Sequence, residues 1–230
     1  RQLSGNNNPS KDTDPNYPVK ILNKQIPPGY VMGFPVDVGL ISGTNVVFIE
    51  DASQKASIRF TAKLGGTVTK IVIHAFAYTG QPTIRAGLQE DNNGAPTGVW
   101  IKENAFGAIK LGSNNNFITV QLGTQVFLTK GKVYHIVIEA GENPLNGTAA
   151  LSTYQADSFA QPSNPDDPDI VWNDAQMNVL SLSGNSWTPQ NRWPMFVVSY
   201  LDGTSEGQPY SLAAQWVVWG STYVGQTLIP

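Results

Sequence analysis

Residues 67–78 read TVTKIVIHAFAY. Apolar side chains alternate through this stretch, with Val68, Val72, Phe76 and Tyr78 on one face and Ile71, Ile73, Ala75 and Ala77 on the other. Successive residues of a strand point to opposite sides, so a segment apolar on both faces is expected at the centre of a sheet. Residues 132–140, KVYHIVIEA, repeat the pattern, setting Tyr134, Ile136 and Ile138 against Val133 and Val137. Further strands are expected at 46–50, 57–62, 83–89, 117–122, 149–154, 195–201 and 216–219. The breaks between them carry Gly, Asn, Pro and Asp, the residues that turns demand. No window shows a helical period with caps, and 22 Gly and 16 Pro suit many turns. The expected fold is all-β, an antiparallel β-sandwich or jelly roll with an extended N-terminal arm.

Working outward, residues 1–40 form the arm. Its opening, RQLSGNNNPSKDTDPNYP, is polar, Asn-rich and broken by proline, a composition that cannot build a core. Such an arm lies along its own domain or reaches a neighbouring subunit. Residues 41–214 form the sandwich. Residues 215–230 form a C-terminal strand, either donated to a neighbour or opening a next module. QTLIP at 226–230 has the shape of IRFTA at 58–62, the end of the first core strand.

Composition narrows the function. Of the 230 residues, 40% are hydrophobic, enough to bury a core. Only 13% are charged, about half the usual share, so copies repel each other weakly and dense packing on a wall or fibre is feasible. The net charge of −3 offers no basic stripe for nucleic acid. No apolar run is long enough for a transmembrane helix. The absence of cysteine excludes disulfides, thiol catalysis and thiolate metal sites. A first residue of Arg1 fits a mature exported chain freed of its signal peptide, and an excised fragment would begin in the same way. Asn146-Gly147-Thr148 is a glycosylation sequon usable only outside the cytoplasm.

Five segments resemble a module repeated in tandem in large exported surface proteins of archaea and thermophilic bacteria: IRFTA (58–62), TIRAGLQEDNNGAPTGVW (83–100), KGKVYHIVIEA (130–140), DGTSEGQPY (202–210) and VGQTLIP (224–230). The resemblance covers roughly residues 46–230 and leaves the arm aside. It implies a jelly-roll sandwich of the carbohydrate-binding type and an extracellular, non-catalytic role. It supplies no motif of binding residues.

Several groups are candidates for chemistry. Asp166, Asp167, Asp169 and Asp174 cluster in a Pro-rich loop, where four carboxylates suit Ca²⁺ or form a solvated acidic loop. Calcium is the cofactor these residues suggest. Glu90-Asp91-Asn92-Asn93-Gly94 reads as a hairpin turn, with a calcium loop as the alternative. His74 and His135 each lie on an apolar strand, as satisfied core or edge residues or, on adjacent strands, as a metal pair short of a third ligand. With these two histidines alone, a Ser-His-Asp triad has little support. Glu139 with Asp202 is the acid pair a glycosidase would need, and chance supplies such pairs in most chains. No working active site is expected.

The six tryptophans say more. Flat rings bury large areas and keep an N–H donor. Trp172, Trp187 and Trp193 fall in loop-like segments near Asn173 and Asn191, as glycan platforms or as plugs for the ends of the sandwich. Trp216 and Trp219 alternate on a strand and, with Val218, Tyr223, Val224 and Leu228, are the assembly-strand candidates; Val19–Leu22 of the arm are a second donor. The leading expectation is an extracellular or cell-surface subunit that polymerises with copies of itself by strand complementation. The rival is a carbohydrate-binding module of a secreted polysaccharide-degrading enzyme, with polysaccharide as partner.

Overall fold

The computed structural model describes residues 31–33, 36–37, 46–114, 116–155, 177–190, 192–208 and 210–211. Among them are seventeen strands and no helix. In chain order these are β1 (Val31–Gly33), β2 (Val36–Asp37), β3 (Val46–Ile49), β4 (Lys55–Thr61), β5 (Gly66–Gly80), β6 (Thr83–Asn92), β7 (Ala95–Trp100), β8 (Phe106–Lys110) and β9 (Asn116–Leu128). They continue as β10 (Val133–Ala140), β11 (Gly147–Gln155), β12 (Asn178–Ser183), β13 (Ser186–Pro189), β14 (Arg192–Pro194), β15 (Phe196–Tyr200), β16 (Ser205–Gln208) and β17 (Tyr210–Ser211).

They form two sheets packed face to face. The eight-stranded sheet runs β1-β16-β15-β5-β11-β14, with β3 joined to β11 and β9 to β5. The seven-stranded sheet runs β13-β12-β4-β10-β6-β7, with β8 joined to β6. All pairings within these sheets are antiparallel except β1 with β16, and a separate parallel ladder joins β2 to β17. Part of the segment assigned to the arm is thus strand, laid along the domain's own last described strands.

The expected central strand is β5, which pairs with β9, β15 and β11. One detail of its alternation is corrected. Its ladders to β9 and β15 both slip between Val68 and Lys70. The extra residue, Thr69, is a bulge that resets the parity. Val68 therefore joins Ile71, Ile73, Ala75 and Ala77 in the core, while Val72 lies on the outer face with Val197 and Phe117.

Facing this layer are Ala56, Ile58 and Phe60 of β4, Ile84, Ala86 and Leu88 of β6, and Tyr134, Ile136 and Ile138 of β10, all in one buried cluster. Fully withdrawing an isoleucine from water contributes about 2 kcal/mol, and Ile58, Ile71, Ile73, Ile84 and Ile136 all reach that limit. Phe60 meets Phe196 of the opposite sheet with centroids 5.1 Å apart.

Two contacts tie the sheets together. At one edge β8 lies so close to β9 that a Cβ on Gly107 would sit 2.1 Å from the Gln121 carbonyl oxygen. Elsewhere the carboxylate of Glu206 on β16 is buried and accepts hydrogen bonds from the Lys63 and Leu64 amides, at 2.6 and 2.9 Å, and from the Tyr200 hydroxyl. Lys63 and Leu64 lie in the link from β4 to β5, where the chain crosses between sheets. Burial raises the Glu206 carboxyl above its ordinary range and raises the Tyr200 phenol likewise.

Candidate functional site

The outer face of the seven-stranded sheet is where the polar chemistry collects. β4 reads KASIRFT, β10 VYHIVIEA and β6 TIRAGLQEDN. Their alternate residues fill the core, so Lys55, Ser57 and Arg59, His135 and Glu139, and Arg85, Gln89 and Asp91 turn outward. The register aligns them in rows. One row is Trp187, Leu182, Lys55, Glu139, Arg85 and Ala108. The next is Pro189, Leu180, Ser57, Val137, Gly87 and Phe106. A third is Asn178, Arg59, His135, Gln89 and Trp100.

In the first row Glu139 takes Lys55 Nζ at 2.6 Å on one oxygen and Arg85 Nη2 at 2.7 Å on the other. Arg85 in turn lies over the Phe106 ring, 5.2 Å from its centroid, and Phe106 packs against Trp100 with the rings tilted by 36°. Across the third row, Asp91 Oδ1 accepts from Arg59 Nε and from His135 Nε2, both at 2.9 Å. His135 Nδ1 lies 2.8 Å from Ser57 Oγ. Burial holds the His135 pKa below its usual value against the pull of Asp91. The ring is therefore neutral at pH 7, donates its Nε2 proton to Asp91 and accepts the Ser57 hydroxyl proton at Nδ1. Burial would raise Asp91, but bonds from His135, the Gly94 amide and Arg59 together hold it below the usual carboxylate range.

Asp91 is placed by the β6–β7 hairpin, whose two-residue loop Asn93-Gly94 has φ of 53° and 95°. That is the mirror-image turn which suits a right-twisted hairpin and which Asn-Gly favours. Gly94 also donates its amide to Asp91 Oδ2 at 3.1 Å. The turn reading of residues 90–94 holds, and Asp91 is engaged by cross-strand partners.

Ser57, His135 and Asp91 are connected in the order of a catalytic triad, yet Ser57 and His135 have no solvent exposure. A nucleophile must meet its substrate, so in this arrangement the relay works as a fastener between β4, β10 and β6. The two histidines are not on adjacent strands: His74 is on β5 of the first sheet, edge-on to Phe117 at 4.7 Å, and His135 is on β10 of the second. The metal pairing considered for them is excluded. Glu139 and Asp202 are likewise separated, since Asp202 follows β15 of the first sheet and bonds the Thr204 amide and hydroxyl.

Trp187 and Trp193 are not in loops. They lie on β13 and β14, and the turn between β12 and β13 is the short Gly184-Asn185. Trp187 is half-buried beside exposed Ser186 and Thr188. Asn146 is exposed in the turn before β11. The remaining candidates lie outside the described residues: Trp172, Asn173 and Asn191, the aspartates 166, 167, 169 and 174, and Trp216, Val218, Trp219, Tyr223, Val224 and Leu228. Among the described residues no group of three or more His, Asp or Glu is placed to hold a metal ion, and no helix is long and apolar enough to cross a membrane.

The outer face of the first sheet is different in kind. Val72, Val197 and Phe117 form a second apolar cluster there, and exposed Phe48 and Tyr78 meet edge to face at 5.0 Å. Every ion pair among the described residues belongs to β4, β6, β10 or the turn entering β10, where Lys132 meets Glu90 at 2.6 Å. Sequence reasoning named His135, Glu139 and Asp91 singly but missed the network. Its signal was present as charged and polar residues at alternate positions, unbroken in β4 and interrupted by Val137 in β10 and Gly87 in β6.

Fold and site together define an antiparallel β-sandwich with one salted and one aromatic outer face. Comparison with protein-family models and with curated proteins finds no match.

Proposed function

We propose that this chain is a non-catalytic structural or adhesive protein of the cell exterior, whose copies join by β-strand addition into a filament or array. The observation that carries this reading is the edge of the first sheet. There β16 accepts β1, a strand from the segment preceding the sandwich, in parallel. Strand addition draws its affinity from main-chain hydrogen bonds and needs no side-chain chemistry. The low charge supports close packing of copies. Glu139, Asp91 and His135, the titratable groups best placed for chemistry, are occupied in holding strands together. Sedimentation and negative-stain imaging of the full chain over a range of concentrations test the reading. Fibres or sheets are expected, and a monomer at every concentration overturns it.

A carbohydrate-binding role is the second reading. What favours it is the polar floor of the salted face, flanked by Trp187 at one end of its rows and by Phe106 with Trp100 at the other. Aromatic planes beside hydrogen-bonding groups suit sugars, whose C–H faces stack while hydroxyls pair. Retardation in polysaccharide-containing gels is expected to disappear in Trp187→Ala. Absence of retardation across a broad polysaccharide panel removes this reading.

A further inference from the structure

We infer that the salted face takes an acidic polysaccharide, a chain of uronic-acid sugars whose carboxylates meet Lys55 and Arg85 while its rings lie against Trp187 and the Phe106–Trp100 pair. This rests on the carbohydrate-binding reading above and names its ligand class.

The argument begins with what the ion pairs show to solvent. Glu139 and Asp91 are the covered members, with side chains 9% and 17% exposed, whereas Lys55, Arg59 and Arg85 are 28%, 21% and 39% exposed. The carboxylates form the floor and the cations lie above them. The count of charges runs the same way. Three cations stand over two carboxylates, and His135 is neutral, so the cluster carries one positive charge in a chain whose net charge is −3. The exposed pair of Lys132 and Glu90 adds nothing to either sign.

Glu139 also fixes its two partners in place, one on each oxygen. A guanidinium has five donors and an ammonium three, and among the described residues neither Arg85 nor Lys55 meets a second carboxylate. Donors held in advance need little further ordering when a ligand arrives. The flat fork of Arg85 matches a carboxylate in particular. Lys55 and Arg85 stand on β4 and β6 with β10 between them, two strand spacings or roughly 10 Å apart. One carboxylate cannot reach both, but two acids carried on one polymer can.

Each cation has an aromatic neighbour. Half-buried Trp187 and Leu182 precede Lys55 in its row. Beyond Arg85 the row ends at Ala108, exposed and too small to obstruct, with Phe106 two residues away on the same face. A sugar ring can pack its C–H face on either aromatic group while its acid turns to the cation beside it. A neutral sugar would cover the cations without replacing their water by charge, which is unfavourable.

Titration calorimetry of the full chain at low salt tests the inference with two polymers, polygalacturonate and its uncharged methyl ester. The acid is expected to bind about tenfold tighter than the ester, and less tightly as NaCl is added. A chain of net negative charge is repelled by a polyanion as a whole, so attraction must come from a local site. Arg85→Gln and Lys55→Gln are each expected to weaken binding of the acid about tenfold. Lys130→Gln, an exposed lysine in the turn before β10 and far from this row, is expected to leave it unchanged. The comparison of acid with ester uses the unaltered chain and holds whether or not a variant folds. Equal affinity for the two polymers, or equal loss from Lys130→Gln, overturns the inference. Retardation by neutral polysaccharides without binding of polygalacturonate overturns it too and leaves the carbohydrate-binding reading standing. No binding to any polysaccharide removes both.

Discussion

At the residue scale, the molecule spends its few ionisable groups on holding strands. Asp91 serves three donors at once, His135, Arg59 and the Gly94 amide. Asp91→Asn keeps the shape but weakens two charge-assisted bonds and leaves a fully buried ring poorly paired. The expected loss is roughly 2–3 kcal/mol in urea denaturation at pH 7, and a change within about 0.5 kcal/mol would show that the network is ornamental. A second residue sets the acid limb of the stability profile. Burial lowers the His74 pKa from 6.5 to about 4. A depressed histidine contributes stability above its unfolded value that is lost as pH falls through the folded one. Between pH 6.5 and 4 the loss is about 3 kcal/mol. His135 acts in the same direction. His74→Phe is expected to flatten this limb in denaturation midpoints taken from pH 7 to 4, and an unchanged slope would remove His74 as its source.

At the element scale, the alternation of TVTKIVIHAFAY and KVYHIVIEA located the two central strands, because a period of two survives in sequence wherever both sheet faces are apolar. Parity within β5 was lost at Thr69, since a bulge is made by the register of neighbouring strands and leaves no local mark. The strands β12, β13 and β14 went unread because they are short and dense in Ser, Asn, Gly and Pro, although Gly184-Asn185 carried a hairpin signal. The salted face was legible only in pieces. Lys55, Ser57 and Arg59 alternate plainly, but which strands lie beside β4 is a long-range fact. Glycine allows β8 of one sheet to lie against β9 of the other. Gly107→Ala would press a methyl against the Gln121 carbonyl, a backbone atom unable to turn aside. A loss of about 3 kcal/mol is expected. Gly112→Ala, with nothing within 4 Å, is expected to change stability by less than about 0.5 kcal/mol. Thermal or urea unfolding of the pair checks this, and equal effects would refute the tight contact.

At the scale of the whole molecule, Glu206 links the crossing from the second sheet to the edge of the first. Its raised pKa gives it the opposite sign to the histidines. Stability from its protonated form is present at low pH and is lost as pH rises through the folded value. Glu206→Gln is expected to remove this component, so the difference between wild type and variant should widen as pH falls toward 4.5. A pH-independent difference in thermal midpoints would exclude Glu206 from the profile. The two limbs together place maximal stability at an intermediate pH.

The parallel pairing of the first two described strands with the last two also has a mechanical meaning. The chain leaves β1 at its N-terminal end and β17 at its C-terminal end, and in parallel strands those exits point in opposite directions. Tension applied at the two ends therefore slides the strands past one another and loads all their hydrogen bonds together, where an antiparallel pair would be peeled open one bond at a time. Pulling single tethered molecules should show a force peak at short extension that is lost when Val31 is replaced by proline.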